Sequence, residues 1–440
     1  MGQKLSTTRR RFLQTASGGA AALAIPYFVP ATSLGFGLRP APSERIVMGA
    51  IGCGGKGRHN TSMFLNQPDV QFVAVADVDS RHAAADKQQI DSHYQNSDCA
   101  VFRDFRDLVA RPDIDAVHVS TPDHWHALTS IAAMRQGKDV YCEKPLTNSV
   151  TEAIAVRDTS RKLQRIVQTG SHERANDDVR RGCELVRNGL LGKIDCVEIN
   201  MPFIDEWHHK IVLEWRGTPE PQPVPDELDW NVWLGPAAEV PYHERRSHFW
   251  WRFILAHGGG EMTDRGAHII DIAQLALGRD DSGPVRIKAS GKRIEDSLYD
   301  AFVDYQFENE YADGIRMIGI NQNPRGLKII GSDGWLFIHV HGGQLEADRP
   351  ELLQTTLGED AIQLGRSPGH HRDFIDCVQS RRQPLADAEV GCRTATICHL
   401  NNIAMLTDSE IRWDPVSETV QGNDEAAHLL KPQFREPWEL

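Results

Sequence analysis

The chain has 440 residues, too many for a single small core, so we expect two domains. Its composition, with 40% apolar and 25% charged residues, is that of an ordinary soluble protein. The formal net charge of -13 argues against nucleic acid as a partner, because binding a duplex requires a basic face that displaces counterions.

The N-terminal segment has the pattern of an export signal. Three arginines, Arg9 to Arg11, precede Phe12 and Leu13, and a modestly apolar stretch follows. Paired arginines before Phe-Leu resemble the twin-arginine signal, which carries folded proteins across a membrane. We therefore predict a signal and linker over residues 1–40, a periplasmic location, and membrane contact through this signal only. A membrane anchor is the alternative, although the stretch has only about 15 residues and a spanning helix needs about 20.

A nucleotide-binding pattern follows this segment. The apolar run of residues 45–51 predicts a buried strand and leads directly into GCGGKG, which is G-x-G-x-x-G. In this pattern the glycines permit a tight turn, close approach of backbone to a pyrophosphate, and close packing of helix on strand. A glycine-rich turn in another α/β fold is the alternative. The predicted cofactor-binding residues of this turn are Gly52, Gly54, Gly55, Lys56 and Gly57.

An acidic residue follows the next predicted strand. The run Val70–Ala76 ends at Asp77, about 20 residues after Gly57, which is the distance of the ribose-binding acid in dinucleotide sites. Because a carboxylate repels a 2′-phosphate, we expect NAD as the cofactor. Arg81 lies four residues further on and is able to accept a phosphate, which keeps NADP as the alternative.

Strands and helices continue to alternate up to residue 170. This alternation predicts an α/β Rossmann domain with a parallel, doubly wound sheet over residues 41–170. The predicted helices are Val101–Arg111, Ala127–Gln136 and Thr151–Leu163, and the further predicted strands are Ile114–Ser120, Asp139–Cys142 and Ile166–Gly170.

Two polar segments, TPDHWH and EKP, fall at the carboxyl ends of predicted strands. Ligands of doubly wound sheets lie beyond those ends, so these segments are candidates to face the cofactor. The additional candidate cofactor-binding residues are Thr121, Pro122, His124, His126, Glu143 and Lys144.

At this point the chain resembles the glucose–fructose oxidoreductase, inositol dehydrogenase and MocA (Gfo/Idh/MocA) family. The resemblance rests on GCGGKG with Asp77, on TPDHWH, on CEKP and on a later segment, and it extends from about Arg45 to Pro415. In that family the lysine of EKP lies beside the nicotinamide and the substrate hydroxyl, a role that maps onto Lys144. The resemblance also implies a second domain with a large, mostly antiparallel open sheet, which carries the substrate and often the subunit interface. A homo-oligomer is therefore expected.

After Gly170 the pattern changes independently of any resemblance. Strand-like runs without intervening helices predict an α+β domain over residues 171–415. Helices within residues 370–415 are expected to pack back on the first domain, with His370 and His371 as capping or exposed residues, and residues 416–440 to form a surface arm. The predicted strands are Asp195–Met201, Val285–Ser290, Ala301–Phe307, Gly314–Ile320, Leu327–Gly331 and Gly334–Val340.

The segment of residues 257–271, HGGGEMTDRGAHIID, is the richest in polar groups. If Met262–Leu277 is a helix, then Asp264, His268 and Asp271 share one face, and burying them without partners would be costly. A buried set of structural hydrogen bonds is one interpretation. A metal site is another, but spacing shows no third or fourth ligand, and the scattered cysteines form no CxxC pair, so we predict no metal.

Acid–base chemistry is the preferred interpretation of this segment. It is similar to the family's GGxxxDxxxH motif, in which the Asp and the His contact substrate hydroxyls and the His acts as proton acceptor. That role carries over onto Asp264 and His268, with Lys144 as the third catalytic residue. Oxidation of a secondary alcohol needs a base that titrates near neutrality and a cation beside the oxygen, which His and Lys provide.

The sequence therefore leaves three functional hypotheses. The first is an oxidoreductase that transfers hydride between a sugar or polyol hydroxyl and a tightly held NAD(P). The second is an NAD-dependent, redox-assisted glycosidase or lyase. Family members of that kind use a Tyr/His loop, and the sequence around Tyr242 and His243 matches that loop only poorly. The third is a binding protein without activity, which would have no need for a base. The Trp-rich loop of residues 214–241 is either a surface excursion or a cover for the substrate pocket.

Overall fold

A computed structural model describes residues 40–203, 206–342 and 344–440. The predicted export signal and linker, residues 1–40, lies outside the described residues apart from Pro40. Residues 46–440 form one unit, which contains two sheets among the described residues. No helix in these described ranges is both long and apolar enough to cross a membrane.

The first sheet has six parallel strands in the order β3-β2-β1-β4-β5-β6. The chain adds strands in one direction from β1 to β3 and in the other from β4 to β6, so the order reverses between β1 and β4, where Ile51 pairs with Val119. In doubly wound sheets the ligand crevice opens at such a reversal. The strands are β1 (Ile46–Ile51), β2 (Val70–Ala76), β3 (Ala100–Phe102), β4 (Ala116–Val119), β5 (Asp139–Cys142) and β6 (Val167–Thr169).

Helices connect these strands, as a parallel sheet requires. One prediction was wrong here: residues 101 and 102 belong to β3 and not to a helix. The helix begins only at Phe105, because the Asp104 side chain accepts a hydrogen bond from the backbone N–H of Arg106 and caps it. The helices are α1 (Gly55–Leu65), α2 (Ser80–Tyr94), α3 (Phe105–Val109), α4 (Asp123–Arg135) and α5 (Val150–Leu163).

The second sheet has nine strands in the order β13-β12-β11-β7-β10-β9-β8-β14-β15. All neighbouring strands are antiparallel except β7 and β10, which are parallel. The combination of this mixed sheet with the Rossmann sheet confirms the predicted fold class. Its strands are β7 (Ile194–Asn200), β8 (Arg286–Lys292), β9 (Asp304–Glu310), β10 (Arg316–Ile320), β11 (Gly326–Gly331), β12 (Gly334–His339), β13 (Leu345–Ala347), β14 (Ile411–Asp414) and β15 (Thr419–Gln421).

The largest apolar core lies between this sheet and an almost entirely buried helix, α10. Ile269, Ile270 and Ile272 of α10 pack in one cluster with residues of β7, β10 and β11 such as Val197 and Met317.

The remaining helices are α6 (Asp177–Arg187), α7 (Trp207–Glu214), α8 (Trp230–Leu234), α9 (Glu261–Asp264), α10 (Gly266–Leu277), α11 (Pro350–Leu353), α12 (His370–Ser380), α13 (Ala388–Thr407) and α14 (Asp424–His428); 3₁₀ turns span His172–Ala175, Glu244–Arg246 and His248–Phe253.

Helices α12 and α13 pack against the Rossmann half. Phe374 of α12 joins the cluster around Phe64, and Cys392 of α13 joins the cluster around Val140. The expectation that His370 and His371 cap the helix or are exposed was wrong. Both are buried, and the ring of His371 stacks on Tyr141 with centroids 5.3 Å apart.

The segment predicted as a C-terminal arm packs on the same chain. Its strand β15 extends the nine-stranded sheet beside β14, and Ala426 of α14 is fully buried. Further on, Trp438 packs edge to face on Trp125 of α4, with ring centroids 4.8 Å apart. The tail thus supports the wall of the Rossmann half.

All eight cysteines lie in the described part of the chain, and all are buried free thiols. Burial raises the pKa of several of them, that of Cys99 to about 12 and that of Cys53 well above its ordinary value.

Candidate functional site

The glycine turn between β1 and α1 leaves one surface open. Gly52 has φ +82°, and a Cβ there would lie 2.6 Å from the backbone of Ser120, while a Cβ on Gly57 would lie 1.9 Å from the Gly52 carbonyl oxygen. These two glycines are required by the protein's own packing. A Cβ on Gly55 would meet no atom within 4 Å, and one on Gly54 would meet only the His82 ring, at 3.9 Å. The backbone N–H groups that begin α1 therefore face open space, which fits a pyrophosphate.

Asp77 closes the other side of this turn. Its Oδ2 accepts from the Cys53 N–H at 2.6 Å, and its Oδ1 accepts from the Asp79 N–H at 2.8 Å. Burial raises the pKa of this carboxyl to about 6, although the two backbone hydrogen bonds oppose the increase. Asp77 lies where the ribose of a dinucleotide would be held.

Arg81, the residue that kept NADP open, is already paired. Its guanidinium lies 3.1 Å from Asp79 Oδ2 and 2.8 Å from Glu227 Oε1. Two carboxylates thus hold the cation that a 2′-phosphate would need.

A cavity of about 530 Å³ runs from the glycine turn to the second half of the chain. It is lined at one end by Asp77 and at the other by Lys144 and Asp264, and Thr121 and Pro122 lie between them. The topology explains this arrangement, because β1, β4 and β5 all end at the same edge of the sheet.

The TPDHWH segment divides between cavity and interior. His126 lines the cavity, with its ring nitrogens 2.8 Å from the Pro145 carbonyl and 3.0 Å from the Thr121 carbonyl. The structure does not bring His124 to the cavity wall; its Nε2 lies 3.1 Å from the backbone oxygen of Trp233. Two residues of this segment that sequence reasoning missed, Asp123 and Trp125, do line the cavity. Their position at the start of a helix after a strand end was the available signal.

Glu143 joins the glycine turn to the EKP segment. Its Oε1 accepts from Asn60 Nδ2 at 2.9 Å and lies 3.3 Å from Lys56 Nζ. Burial would raise the pKa of Glu143, but Lys56, Asn60 and Lys144 outweigh burial and hold this pKa at about 2. Glu143 is therefore a permanent anion that fixes Lys56 beside the start of α1.

Lys144 reaches across the cavity to Asp264. Its Nζ donates to the backbone oxygen of Asp264 at 3.0 Å and also to the Oδ1 of that residue. On the other side, Asp264 Oδ2 lies 3.9 Å from the guanidinium of Arg252. Burial would raise the pKa of Asp264, but the two cations hold it well below its usual range. The result is a charged group of two cations and one anion at the end of the cavity.

His268 is buried one turn further along. Burial lowers its pKa well below the ordinary value, and the charge of Lys144 lowers it further. The rings of His172 and His341 lie beside it, with centroids 4.8 Å and 4.7 Å away. Sequence reasoning missed both of these histidines, because they lie in turns far from His268 in the chain and form no motif with it.

The other polar members of the segment are structural. Asp271 accepts from Arg174 Nε at 2.8 Å and is fully buried, so it neutralises a buried guanidinium. The adjacent Gly259 and Gly260 accommodate protein atoms, since a Cβ on them would lie 2.3 Å from Thr263 and 2.7 Å from Ala301.

Two family profiles together match nearly all of the chain beyond residue 45. The profile described as "Oxidoreductase family, NAD-binding Rossmann fold" matches residues 46–171, and "Oxidoreductase family, C-terminal alpha/beta domain" matches residues 175–440. The chain belongs to the Gfo/Idh/MocA oxidoreductase family. Its first half is accordingly an NAD-binding Rossmann domain, in agreement with the open glycine turn and the placement of Asp77.

Curated relatives carry several activities. An inositol 2-dehydrogenase of Rubrobacter xylanophilus is 34% identical over 152 residues, which are 34% of this chain and 42% of that protein. A glycosyl hydrolase family 109 protein of Saccharopolyspora erythraea is 31% identical over 206 residues, 42% of this chain and 44% of that protein. The chain thus spans less than half the length of these relatives.

Solved structures share the fold over most of the chain. A levoglucosan dehydrogenase in complex with NADH is 18% identical with a TM-score of 0.58, covering 83% of this chain and 98% of its own. An aldose-aldose oxidoreductase of Caulobacter crescentus complexed with glycerol is 17% identical with a TM-score of 0.59, covering 84% of this chain and 99% of its own.

Proposed function

We propose that this protein is an NAD-dependent oxidoreductase that acts on a secondary hydroxyl of a sugar or polyol. The observation that carries the proposal is the convergence of Lys144 and Asp264 at the far end of the cavity that begins at the glycine turn. A dinucleotide extended from that turn would place its reactive ring at this end.

Three polar groups have a task in alcohol oxidation: Lys144 and Asp264 line this end of the cavity, and His268 lies one helical turn beyond Asp264 and is not among the described lining residues. Lys144 donates to the alcohol oxygen and stabilises the negative charge that develops on it. Asp264 holds the Lys144 ammonium in position and remains an anion throughout. His268, whose buried ring is neutral at pH 7, accepts the hydroxyl proton. Bound NAD supplies the hydride acceptor.

The pairing of Arg81 supports NAD over NADP. A 2′-phosphate would approach the Asp77 carboxylate and would have to break the contacts of Arg81 with Asp79 and Glu227. Both effects cost free energy that the 2′-hydroxyl of NAD does not incur.

A sugar or polyol substrate is supported by the relatives and by the cavity wall. The relatives include an inositol and a levoglucosan dehydrogenase. Phe249 and Trp251 line the cavity near Arg252, and aromatic faces of this kind stack on the apolar faces of sugar rings.

Redox-assisted glycoside cleavage is the second candidate. The relatives at 31% and 35% identity include glycosyl hydrolase family 109 proteins. Such an enzyme oxidises a sugar hydroxyl, eliminates the aglycone, adds water and reduces the product, so that the cofactor is restored in place. The same residues, Lys144 and His268, would serve its first and last steps.

We further propose that the protein is exported with its cofactor held tightly, and that it forms a homo-oligomer. The twin-arginine pattern beside a dinucleotide site supports the first, because that route carries folded proteins. The exposed alternate residues of β8 and β9, on one face of the large sheet, support the second.

A panel of sugars and polyols, offered with NAD to the purified protein, tests the function. Net NADH formation at 340 nm supports the oxidoreductase, whereas release of aglycone without net NADH supports the glycosidase. Binding without turnover of any compound, in a preparation that retains NAD, would overturn both.

A further inference from the structure

Three imidazoles from three separate elements meet at one place in the structure, and the charge of Lys144 acts on two of them. His172 begins the 3₁₀ turn after β6, His268 lies in α10, and His341 lies in the turn after β12. One ring nitrogen of each lies within 4.8 Å of the other two. We call this group the histidine cluster. Three imidazoles with a further coordination position are the ligand set of many catalytic zinc sites.

The cluster contains buried nitrogens that lack hydrogen-bond partners. His268 is 5% exposed, and Nδ1 of His268 and Nδ1 of His172 have no partner among the described residues. An unsatisfied buried polar atom destabilises the fold, so two in one place require a reason. A cation that accepts both lone pairs provides it.

A carboxylate orients one of these rings. Glu173 is buried, and its Oε1 lies 3.2 Å from His172 Nε2 and 3.9 Å from His341 Nε2. A carboxylate that accepts from Nε2–H leaves the Nδ1 lone pair of His172 directed elsewhere, which is the usual arrangement around a metal-bound histidine.

We propose that His172, His268 and His341 bind one divalent transition-metal ion, with zinc as the member of that class that the three imidazoles fit, and with Glu173 as the outer carboxylate. Donors bound to tetrahedral zinc lie about 3.3 Å apart at bond lengths of about 2.0–2.1 Å. Binding of the metal ion therefore draws the three imidazole rings together. Arg325 Nη1 lies 3.1 Å from His341 Nδ1, and Arg325 Nη2 already donates to Glu206 Oε1 at 3.2 Å, a contact that metal binding would leave in place.

The role of the bound metal, but not its binding, rests on the proposed function. A metal ion at the cluster would bind a water molecule and lower its pKa, and the resulting hydroxide would take the substrate's hydroxyl proton in place of His268. His268 would then be a ligand, while Lys144 would keep its contact with Asp264.

Metal binding is tested directly on the full chain without substrate. Protein stripped with a chelator is dialysed against Zn²⁺ or Co²⁺ and its metal content measured, and the Co²⁺ form is examined for the visible absorption of a tetrahedral nitrogen site. We expect one equivalent of metal in the unmodified chain and loss of at least about tenfold in affinity for His341→Ala and His172→Ala. His339→Ala is the matched control, because His339 pairs with Glu346 outside the cluster.

Circular dichroism and NAD binding show that each variant is folded. Less than a tenth of an equivalent of metal in the unmodified chain, or unchanged affinity in His341→Ala, would overturn the proposal. An active dehydrogenase without metal would overturn the role proposed for the metal and leave the proposed function intact. One bound metal in a protein that oxidises no sugar would support the site and count against the proposed function only.

Discussion

Lys144 and Asp264 are 120 residues apart in the chain and form an ion pair at the end of the nucleotide cavity. The first follows the strand β5 of the Rossmann sheet, and the second ends helix α9 of the other half. The pair therefore forms only when both halves are folded and correctly placed. It joins the two halves at the position where chemistry is proposed.

Replacement of Lys144 tests its proposed role. We expect Lys144→Ala to lower kcat by about 10²–10³-fold, because it removes the donor to the developing negative charge. NAD affinity should persist, since the glycine turn and Asp77 are unchanged. Steady-state kinetics and a titration with NAD measure the two quantities. Lys292→Ala, at an exposed position, is the control. A kcat within about twofold of the unmodified chain would refute the role.

Alanine at two glycines of the turn should have separate effects. Gly57→Ala places a methyl group 1.9 Å from the Gly52 carbonyl oxygen, so we expect a lower Tm. Gly54→Ala meets no protein atom closer than 3.9 Å, so Tm should be retained while NAD affinity falls by about tenfold or more, because the methyl group occupies the path of the pyrophosphate. Thermal melts and NAD titrations distinguish these outcomes. Equal Tm values for both variants would contradict the packing argument.

Glu152 makes stability depend on pH. This carboxyl is buried at the start of α5 beside Ser149, and burial raises its pKa from 4.5 to about 8. Between these values the folded chain binds more protons than the unfolded chain, so stability is highest below pH 4.5 for this group and decreases as pH rises toward about 8. We expect Glu152→Gln to weaken this decrease, as measured by urea unfolding at pH 5 and pH 8.5. Glu351→Gln, at an exposed position, should unfold as the unmodified chain does at both pH values.

Asp271 should matter for stability and not for chemistry. Its removal leaves the buried Arg174 with Asp280 as its remaining carboxylate partner among the described residues, so we expect Asp271→Ala to lose about 3–5 kcal/mol of unfolding free energy. The folded fraction should keep its kcat. Asp313→Ala breaks the more exposed pair with Arg279 and should cost about 1 kcal/mol or less. A loss of kcat at full stability would assign Asp271 to the reaction.

Local patterns predicted the nucleotide half well. The β5 strand was predicted with its observed bounds, and the glycine turn and Asp77 lie together as expected, because their spacing along the chain determines their separation. The short edge strand β3 was missed, since three residues carry too weak a periodicity. His172 and His341 could not be predicted, because only the packing of the large sheet against the Rossmann half brings them to His268.

The eight buried thiols offer a way to observe opening of the folded chain. A reagent that alkylates thiolates reaches a buried, high-pKa cysteine only when the surrounding segment opens. Cys53 and Cys142 report on the nucleotide half, whereas Cys183 and Cys398 lie in the core beneath the large sheet. The labelling rate at each position, compared with and without NAD, would show whether cofactor binding slows the opening of one half or of the whole chain.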